Sequence, residues 1–292
     1  MRFRGTIVII TALLMLSGVA QARDDESFDL DKTYSIDKDG TIYLTCNDAD
    51  LTIVGSDRKD VHVFVEYRLD VTGFGRNWRM TEFGFEVREE SGNLRIRDEE
   101  VQLNSMGMIR WNEDYTIRIE APRGVSLRLR LDDDNVRIRD IDGSVSVTMS
   151  DGRAILESLG GSDFEFEFDD GSIEMIGGKG TLDVVLDDGE FFATQGDFSE
   201  IIGRTEDGSI EIATKLHDEG RYRLTADDGE LYLTVLSGGG QFYADFDDGR
   251  ARATREFKEI DEDDHFREWE LAGGKARVNL RVSDGRVSLK KD

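Results

Sequence analysis

The chain has 292 residues, with 63 Asp and Glu against 37 Lys and Arg, and its formal net charge at pH 7 is −26. Such an acidic chain repels phosphate polymers and anionic membrane surfaces, so nucleic acid is not expected as a partner. A single cysteine, Cys46, excludes an intramolecular disulfide, and stability must therefore come from hydrogen bonding and a hydrophobic core.

The first 22 residues have the composition of a signal peptide. Arg2 and Arg4 precede an apolar run from Thr6 to Leu16, and Ala20-Gln21-Ala22 supplies the small residues that a signal peptidase requires. The apolar run is too short to cross a membrane as a helix. We therefore expect an exported protein of the periplasm, the cell surface or the extracellular space, and not an integral membrane protein.

Residues 23–40 are predicted to be a polar lead-in, and residues 41–292 a single domain. Apolar residues alternate from Ile42 to Cys46, and again from Leu51 to Ile53 after a polar turn. Because the side chains of a strand alternate between its two faces, this pattern predicts two short strands with one buried face. Cys46 shares the parity of the apolar positions, so it is predicted to be a buried core residue rather than a reactive thiol.

Residues 66–114 interrupt the alternation and are predicted to be the first of two inserted loops. Gly, Trp and Met residues fall outside any regular frame there. One strand pair, at residues 83–87 and 94–96, is predicted within the insertion. The regular frame resumes at Tyr115 and continues past Pro122, the only proline.

From about residue 125 to 250 one pattern recurs about every 19 residues: an alternating apolar strand, an Asp-Gly corner and a second short strand. In one repeat, Phe164, Phe166 and Phe168 precede the corner Asp169-Asp170-Gly171, and Ile173 and Met175 follow it. A constant period of this length is typical of solenoids, whose coils bury an apolar face only against their neighbours. We therefore predict an all-β fold, a β-helix-like parallel β-solenoid with coils of about 19 residues and two short strands per coil.

The rival interpretation is an antiparallel meander, because Asp-Gly between alternating apolar residues is also a strong hairpin signal. A meander gives no reason for a constant period. The apolar frame resumes across each corner with the same offset, and this regularity favours a bend in a coil.

The second inserted loop is predicted at residues 255–271, between the last Asp-Asp-Gly corner and a final coil around Gly285. It is the most acidic loop, and it interleaves Phe257, Phe266 and Trp269 with carboxylates. Solenoids expose apolar ends that must be covered. We therefore expect this segment to cap the coil rather than to bind a ligand.

The acidic corners are the predicted candidate for a metal site. In a parallel coil, equivalent residues stack about 4.8 Å apart, so a column of aspartates repels itself unless it is solvated or bridged. Calcium fits such a column because it prefers carboxylate and carbonyl oxygens. Hydrogen bonds within each turn relieve the repulsion as well, and we expect this turn role; no other cofactor is expected. The possible calcium column comprises Asp170, Asp188, Asp207, Asp228 and Asp248.

The chain resembles the bacterial exported family known as "putative adhesins", a family of unknown function with β-solenoid repeats. The resemblance is carried by Ala121-Pro122-Arg123-Gly124 and by residues 145–156, in which Ser150-Asp151-Gly152 forms the turn. It extends over about residues 40–290 and implies a β-solenoid without catalytic residues.

No sequence motif for nucleophilic, metal or phosphate chemistry is found, and the three histidines, His62, His217 and His265, lack metal-ligand spacing. The outward positions of the coils mix acidic, basic and aromatic residues, so no coherent basic groove is predicted. We therefore expect not an enzyme but an adhesin-like binding scaffold of the envelope or surface, with an envelope or extracellular protein or glycan as partner.

Two alternatives stay open: a glycan-binding or polysaccharide-active β-helix protein, and a calcium-stabilised surface protein. Exposed aromatic residues clustered beside a cleft would favour the first alternative. The candidates for such a cluster are Phe74, Trp78, Trp111, Phe266 and Trp269.

Overall fold

The computed structural model describes residues 22–74, 78–105 and 108–292. Every regular element of these residues is a β-strand, which confirms the all-β prediction. No helix among them is long and apolar enough to cross a membrane. The predicted signal peptide lies almost entirely outside the described residues.

The strands of the first half of the chain are β1 (Ala22–Ser35), β2 (Thr41–Cys46), β3 (Asp50–Ser56), β4 (Asp60–Phe74), β5 (Trp78–Met80), β6 (Gly84–Glu90), β7 (Asn93–Glu99), β8 (Leu103–Ser105), β9 (Met108–Pro122), β10 (Ser126–Arg139) and β11 (Val145–Glu157). Those of the second half are β12 (Asp163–Phe168), β13 (Ser172–Ile176), β14 (Lys179–Leu186), β15 (Glu190–Thr205), β16 (Ser209–Lys215), β17 (Arg221–Ala226), β18 (Glu230–Ser237), β19 (Gly240–Phe246), β20 (Arg250–Ala253), β21 (Lys258–Glu262), β22 (Phe266–Leu271), β23 (Ala276–Val282) and β24 (Arg286–Lys291).

Equivalent strands of successive repeats pair in parallel. Val145 of β11 lies opposite Phe164 of β12, and Phe164 lies opposite Leu182 of β14. The strands after each corner pair in the same way, as Ile173 of β13 does with Phe191 of β15. Two layers result, which we call the pre-corner sheet and the post-corner sheet.

The core lies between these two sheets. Burial alternates strictly along β12, so that Phe164, Phe166 and Phe168 are buried while Glu165 and Glu167 are exposed. The ring of Phe166 meets that of Phe191 from the opposite sheet, with centroids 6.0 Å apart. Burying such a phenylalanine stabilises the fold by about 2–3 kcal/mol, and the repeat multiplies this gain along the stack.

At several corners the glycine is required by the close approach of neighbouring repeats. A Cβ at Gly208 would collide with the carbonyl oxygen of Gly189, and one at Gly229 with the carbonyl oxygen of Gly208. The backbone of the corner also continues the ladder, since the Asp188 N–H donates to the Asp169 carbonyl oxygen at 3.0 Å. A side chain in place of the glycine would push two coils apart and break these bonds.

The last repeat does not follow the order of the sequence. Val278 of β23 lies opposite Tyr222 of β17 on one side and Phe242 of β19 on the other. In the same way β24 lies between β18 and β20. After β17 and β18, the chain therefore forms β19 and β20 one position further along the stack. It then turns back through β21 and β22, and the final repeat, β23 and β24, occupies the position in between.

The two segments predicted to be inserted loops are built mostly of antiparallel strands. The predicted strand pair at residues 83–87 and 94–96 is present as β6 and β7. Long strands β1, β4 and β9 pair antiparallel beside β3, and the lead-in residues thereby form β1. At the other end, β21 and β22 form a hairpin on β19. Pairing occurs here because the edges of both sheets would otherwise leave backbone groups unbonded.

The hairpin at residues 258–271 covers the C-terminal end of the core. Trp269 and Leu271 are buried on β22, and Phe257, just before β21, is buried edge-on against Phe242 at 5.0 Å. The apolar residues of this acidic segment thus point inward, while its carboxylates face the solvent.

Candidate functional site

The outer face of the pre-corner sheet carries a group of arginines that are distant in sequence. Arg221 and Arg223 alternate with buried Tyr222 on β17, and Arg277 and Arg281 have the same outward parity on β23. Because β17 and β23 are neighbours, Arg221 lies opposite Arg277 in the register. We call Arg221, Arg223, Arg277 and Arg281 the arginine face.

A groove of about 350 Å³ runs through the arginine face. It is lined by Arg221, Arg223 and Arg277, together with Asn279 on β23 and both Glu200 and Ile202 on β15. The register places Ile202, Arg223 and Asn279 in one row across three adjacent strands. The groove therefore combines three guanidinium groups with an amide, an apolar side chain and, at the Arg221 end, the carboxylate of Glu200.

The guanidinium groups of the arginine face are unpaired. Among the described residues, no ion pair or side-chain hydrogen bond involves Arg221, Arg223, Arg277 or Arg281, and Glu200, opposite Arg221 in the register, makes no ion pair with it. Like charges about 5–7 Å apart on neighbouring positions repel each other. An anion bound between them would relieve this repulsion, so the face is suited to anion binding.

Acidic bands border the arginine face on both sides. Glu165 and Glu167 of β12 and Asp183 of β14 lie on one side, and Glu268 and Glu270 of β22 lie on the other. The pKa of Asp183 is raised by burial, an effect that nearby Arg204 partly offsets. The positive charge of the arginine face is thus bordered by acidic side chains on both sides of the sheet.

Sequence reasoning predicted no basic groove because it did not place β23 beside β17. The local signal was present, since Arg221 and Arg223, like Arg277 and Arg281, share the parity opposite to the apolar frame. Their adjacency depends on the insertion of the last repeat between two earlier ones. No pattern within either segment indicates that insertion.

The aspartates of the predicted calcium column all lie at corners and are exposed: Asp170, Asp188, Asp207, Asp228 and Asp248. One correction concerns their order, because the repeat containing Asp284 lies between those of Asp228 and Asp248. The Asp284 N–H donates to the Asp227 carbonyl oxygen at 3.0 Å, and the Asp248 N–H donates to the Ser283 carbonyl oxygen at 3.0 Å. Asp284 therefore lies within the column between Asp228 and Asp248, although it follows both of them in the sequence.

The corner carbonyl oxygens are engaged by neighbouring coils. Those of Asp169, Asp187 and Glu206 each accept an N–H from the next corner at 2.9–3.1 Å. Among the described residues, no group of three or more His, Cys, Asp or Glu has a geometry that could hold a metal ion. At the corner that precedes the column, burial and then the neighbouring carboxylates of Asp133 and Asp170 raise the pKa of Asp151.

Two carboxyl groups are buried at the end of the stack that is formed by the N-terminal strands. Asp134 is fully buried and accepts N–H groups from Ala49 at 2.7 Å and Asp132 at 2.9 Å. Asp98 is 7% exposed and accepts the Asn47 N–H at 3.2 Å and the Tyr115 hydroxyl at 3.1 Å. Burial raises the pKa of each carboxyl to about 6, although these hydrogen bonds lower it.

Cys46 lies beside this pair. Its Sγ is 3.7 Å from Asp134 Oδ1, and its side chain is buried, as its parity predicted. Burial first, and then the nearby carboxylates of Asp134 and Asp98, raise the pKa of the thiol well above its usual range. Because the thiolate is the reactive form, this thiol is chemically inert in the folded protein.

The aromatic residues proposed to form a glycan cleft are not brought together where the structure describes them. Trp111 on β9 is 60% exposed, whereas Trp269 on β22 is buried at the opposite end of the stack. Phe266 is half-buried and stacks on Tyr243, with ring centroids 6.5 Å apart. The side chains of Phe74 and Trp78 lie outside the described residues.

The fold and these faces define an all-β repeat protein with flat, charged sheet surfaces. The chain belongs to the family described as Toastrack DUF4097, whose model matches residues 40–290. This confirms the resemblance carried by residues 121–124 and 145–156. A search of curated proteins finds no match.

Three of the solved structures that are similar to the chain come from three different bacteria. A "putative adhesin" from Bacteroides fragilis is 10% identical, with 90% of this chain and 97% of that chain covered and a TM-score of 0.37. A "putative lipid binding protein" from Parabacteroides distasonis is 11% identical, with 91% and 96% covered and a TM-score of 0.35. A "putative cell adhesion protein" from Clostridium sporogenes is 12% identical, with 93% and 100% covered and a TM-score of 0.24.

Proposed function

We propose that the chain is a non-enzymatic binding scaffold of the cell envelope or surface, and that its parallel pairings form one continuous β-solenoid. The observation that carries this proposal is the ladder, which holds outward side chains in rows at the spacing of the strands. Charges from distant parts of the sequence are thereby fixed on a flat face, and complementary charge is what gives such a surface its specificity.

Export is part of the proposal. The apolar run and the small residues at 20–22 support cleavage after Ala22. Strand β1 begins at Ala22, so the cleaved chain would keep nearly the whole strand that pairs with β4. Sequencing of the mature protein from the source organism is expected to begin at Arg23, and an uncleaved terminus in the cytosolic fraction would contradict export.

Binding is tested by retention of the labelled chain on isolated envelopes of the source organism. A heat-denatured sample is the matched control, because it keeps the charge and loses the ladder. We expect saturable retention of the folded chain only; equal retention of both samples, or none, would refute the scaffold. Release of reducing sugar ends during the incubation would support the polysaccharide-active alternative instead.

A further inference from the structure

The arginine face brings four exposed, unpaired guanidinium groups together on the same outer face of two adjacent strands. Arg221 and Arg277 are side by side in the register, and Arg223 and Arg281 continue the two strands in the same direction. From the strand geometry, the face measures about 13 Å along β23 and about 5 Å between the two strands. A strip of this shape fits a narrow, extended anion.

We propose that the arginine face binds a linear acidic polysaccharide, with its carboxylate groups held by Arg221, Arg223, Arg277 and Arg281. This inference rests on the scaffold function proposed above and names its ligand class. Guanidinium groups present a planar pair of donors that matches a carboxylate in bidentate geometry. Their unpaired state means that no internal ion pair has to be broken before the ligand binds.

The neighbours of the arginine face favour a sugar polymer. Asn279 continues the row of Arg223 and offers both an amide donor and an acceptor for hydroxyl groups. Tyr243 follows Asn279 in the register on β19, and its ring stacks with Phe266. A half-exposed aromatic pair beside hydrogen-bonding and cationic groups can pack against the apolar face of a sugar ring while its polar edge stays solvated.

The acidic bands argue against a broad anionic surface as the ligand. A membrane surface approaching the arginine face would also meet Glu165, Glu167 and Glu268, and the whole chain carries a net charge of −26. Like charges at the rim of a contact exclude partners that must cover the rim. A thin polymer can lie within the strip and avoid both bands.

The test is titration calorimetry of the chain with polygalacturonate, with neutral dextran of similar length, and with vesicles of phosphatidylglycerol and phosphatidylcholine. The double variant Arg223→Gln, Arg277→Gln removes two charges from the face. The double variant Arg128→Gln, Arg130→Gln is its matched control, because it removes two exposed charges from the same outer face on β10. The control site lies about 24 Å away across the sheet, beyond the screening length at physiological salt.

We expect the wild-type chain to bind polygalacturonate and not dextran. The face variant should bind at least about tenfold more weakly, since each lost charge-assisted hydrogen bond contributes substantially, and the control should stay within about twofold. Neither variant should lower the melting temperature of the wild type, because the substituted side chains have no internal partner and the face variant also loses repulsion between like charges.

Four outcomes would overturn the inference: no binding of polygalacturonate, equal loss in both variants, tighter binding to the anionic vesicles than to polygalacturonate, or a wild-type dimer in sedimentation that the face variant abolishes. In each case retention on envelopes decides the scaffold function separately. If the face variant is still retained on envelopes like the wild type, the scaffold stands and only the polysaccharide assignment fails.

Discussion

Replacing Asp98 by Asn is expected to stabilise the protein at neutral pH. Asp98 Oδ2 accepts both the Asn47 N–H and the Tyr115 hydroxyl, and the amide oxygen of an asparagine can accept both as well. The substitution therefore keeps these two hydrogen bonds and removes a charge that burial disfavours. Burial raises the pKa of this carboxyl to about 6, from about 4 in an unfolded chain.

The sign of the pH dependence follows from proton linkage. Between about pH 4 and pH 6 the folded protein keeps a proton on Asp98 that the unfolded chain has already lost. The contribution of this carboxyl to stability is therefore fully present below about pH 4 and is lost as the pH rises through about 6. A shift of about two pKa units corresponds to about 3 kcal/mol at pH 8.

The assay is thermal and urea unfolding of wild type and Asp98→Asn at about pH 4 and about pH 8. At the higher pH the variant should be more stable by up to about 3 kcal/mol, which is about 6 °C in melting temperature for a chain of this size. At the lower pH the two should agree, because the wild-type carboxyl is then neutral. Glu99→Gln, an exposed neighbour on β7 with the same charge change, should alter stability by less than about 0.5 kcal/mol. Equal differences at both pH values, or a variant less stable at pH 8, would refute the burial argument.

Three further predictions concern the repeat. Gly208→Ala should lower the free energy of unfolding by about 2–3 kcal/mol, because its Cβ would collide with the neighbouring coil. Gly273→Ala, with positive φ but open space around it, should lower it by about 1 kcal/mol, and similar losses for the two variants in urea unfolding would contradict the role of close approach. Phe166→Ala should lower the free energy of unfolding by about 3–5 kcal/mol, and Glu167→Ala should lower it by less than about 0.5 kcal/mol, since only Phe166 is buried. A small loss for Phe166→Ala would disprove the two-sheet core. Asp188→Asn should raise the melting temperature at low salt, where column repulsion is strongest, and Ca²⁺ should leave that of the wild type unchanged; a Ca²⁺-dependent increase that Asp188→Asn abolishes would support the calcium column.

Much of the core could be predicted from the sequence. Phe164, Phe166 and Phe168 are buried because strand side chains alternate, and the same local rule places Cys46 inside. The glycine of the corner is also visible in the sequence, although its reason, contact with the next coil, is a property of the stack.

The arginine face and the buried carboxyls could not be predicted in this way. Arg221 and Arg277 become neighbours only because the last repeat enters between two earlier ones. Asp134 stands at a corner like the exposed aspartates of later repeats, and it is buried because β2 and β3 pack beside it at this end of the stack.

Which side chains point inward can be read from the sequence, because the period of two along a strand is a local property of the backbone. Which strands are neighbours depends on the folded chain, since pairing is a long-range choice that depends on which edges and apolar faces remain uncovered. The acidic repeat in the sequence therefore predicts which residues form the core of the protein, whereas the order of the strands in the fold determines which charged residues lie together on its surface.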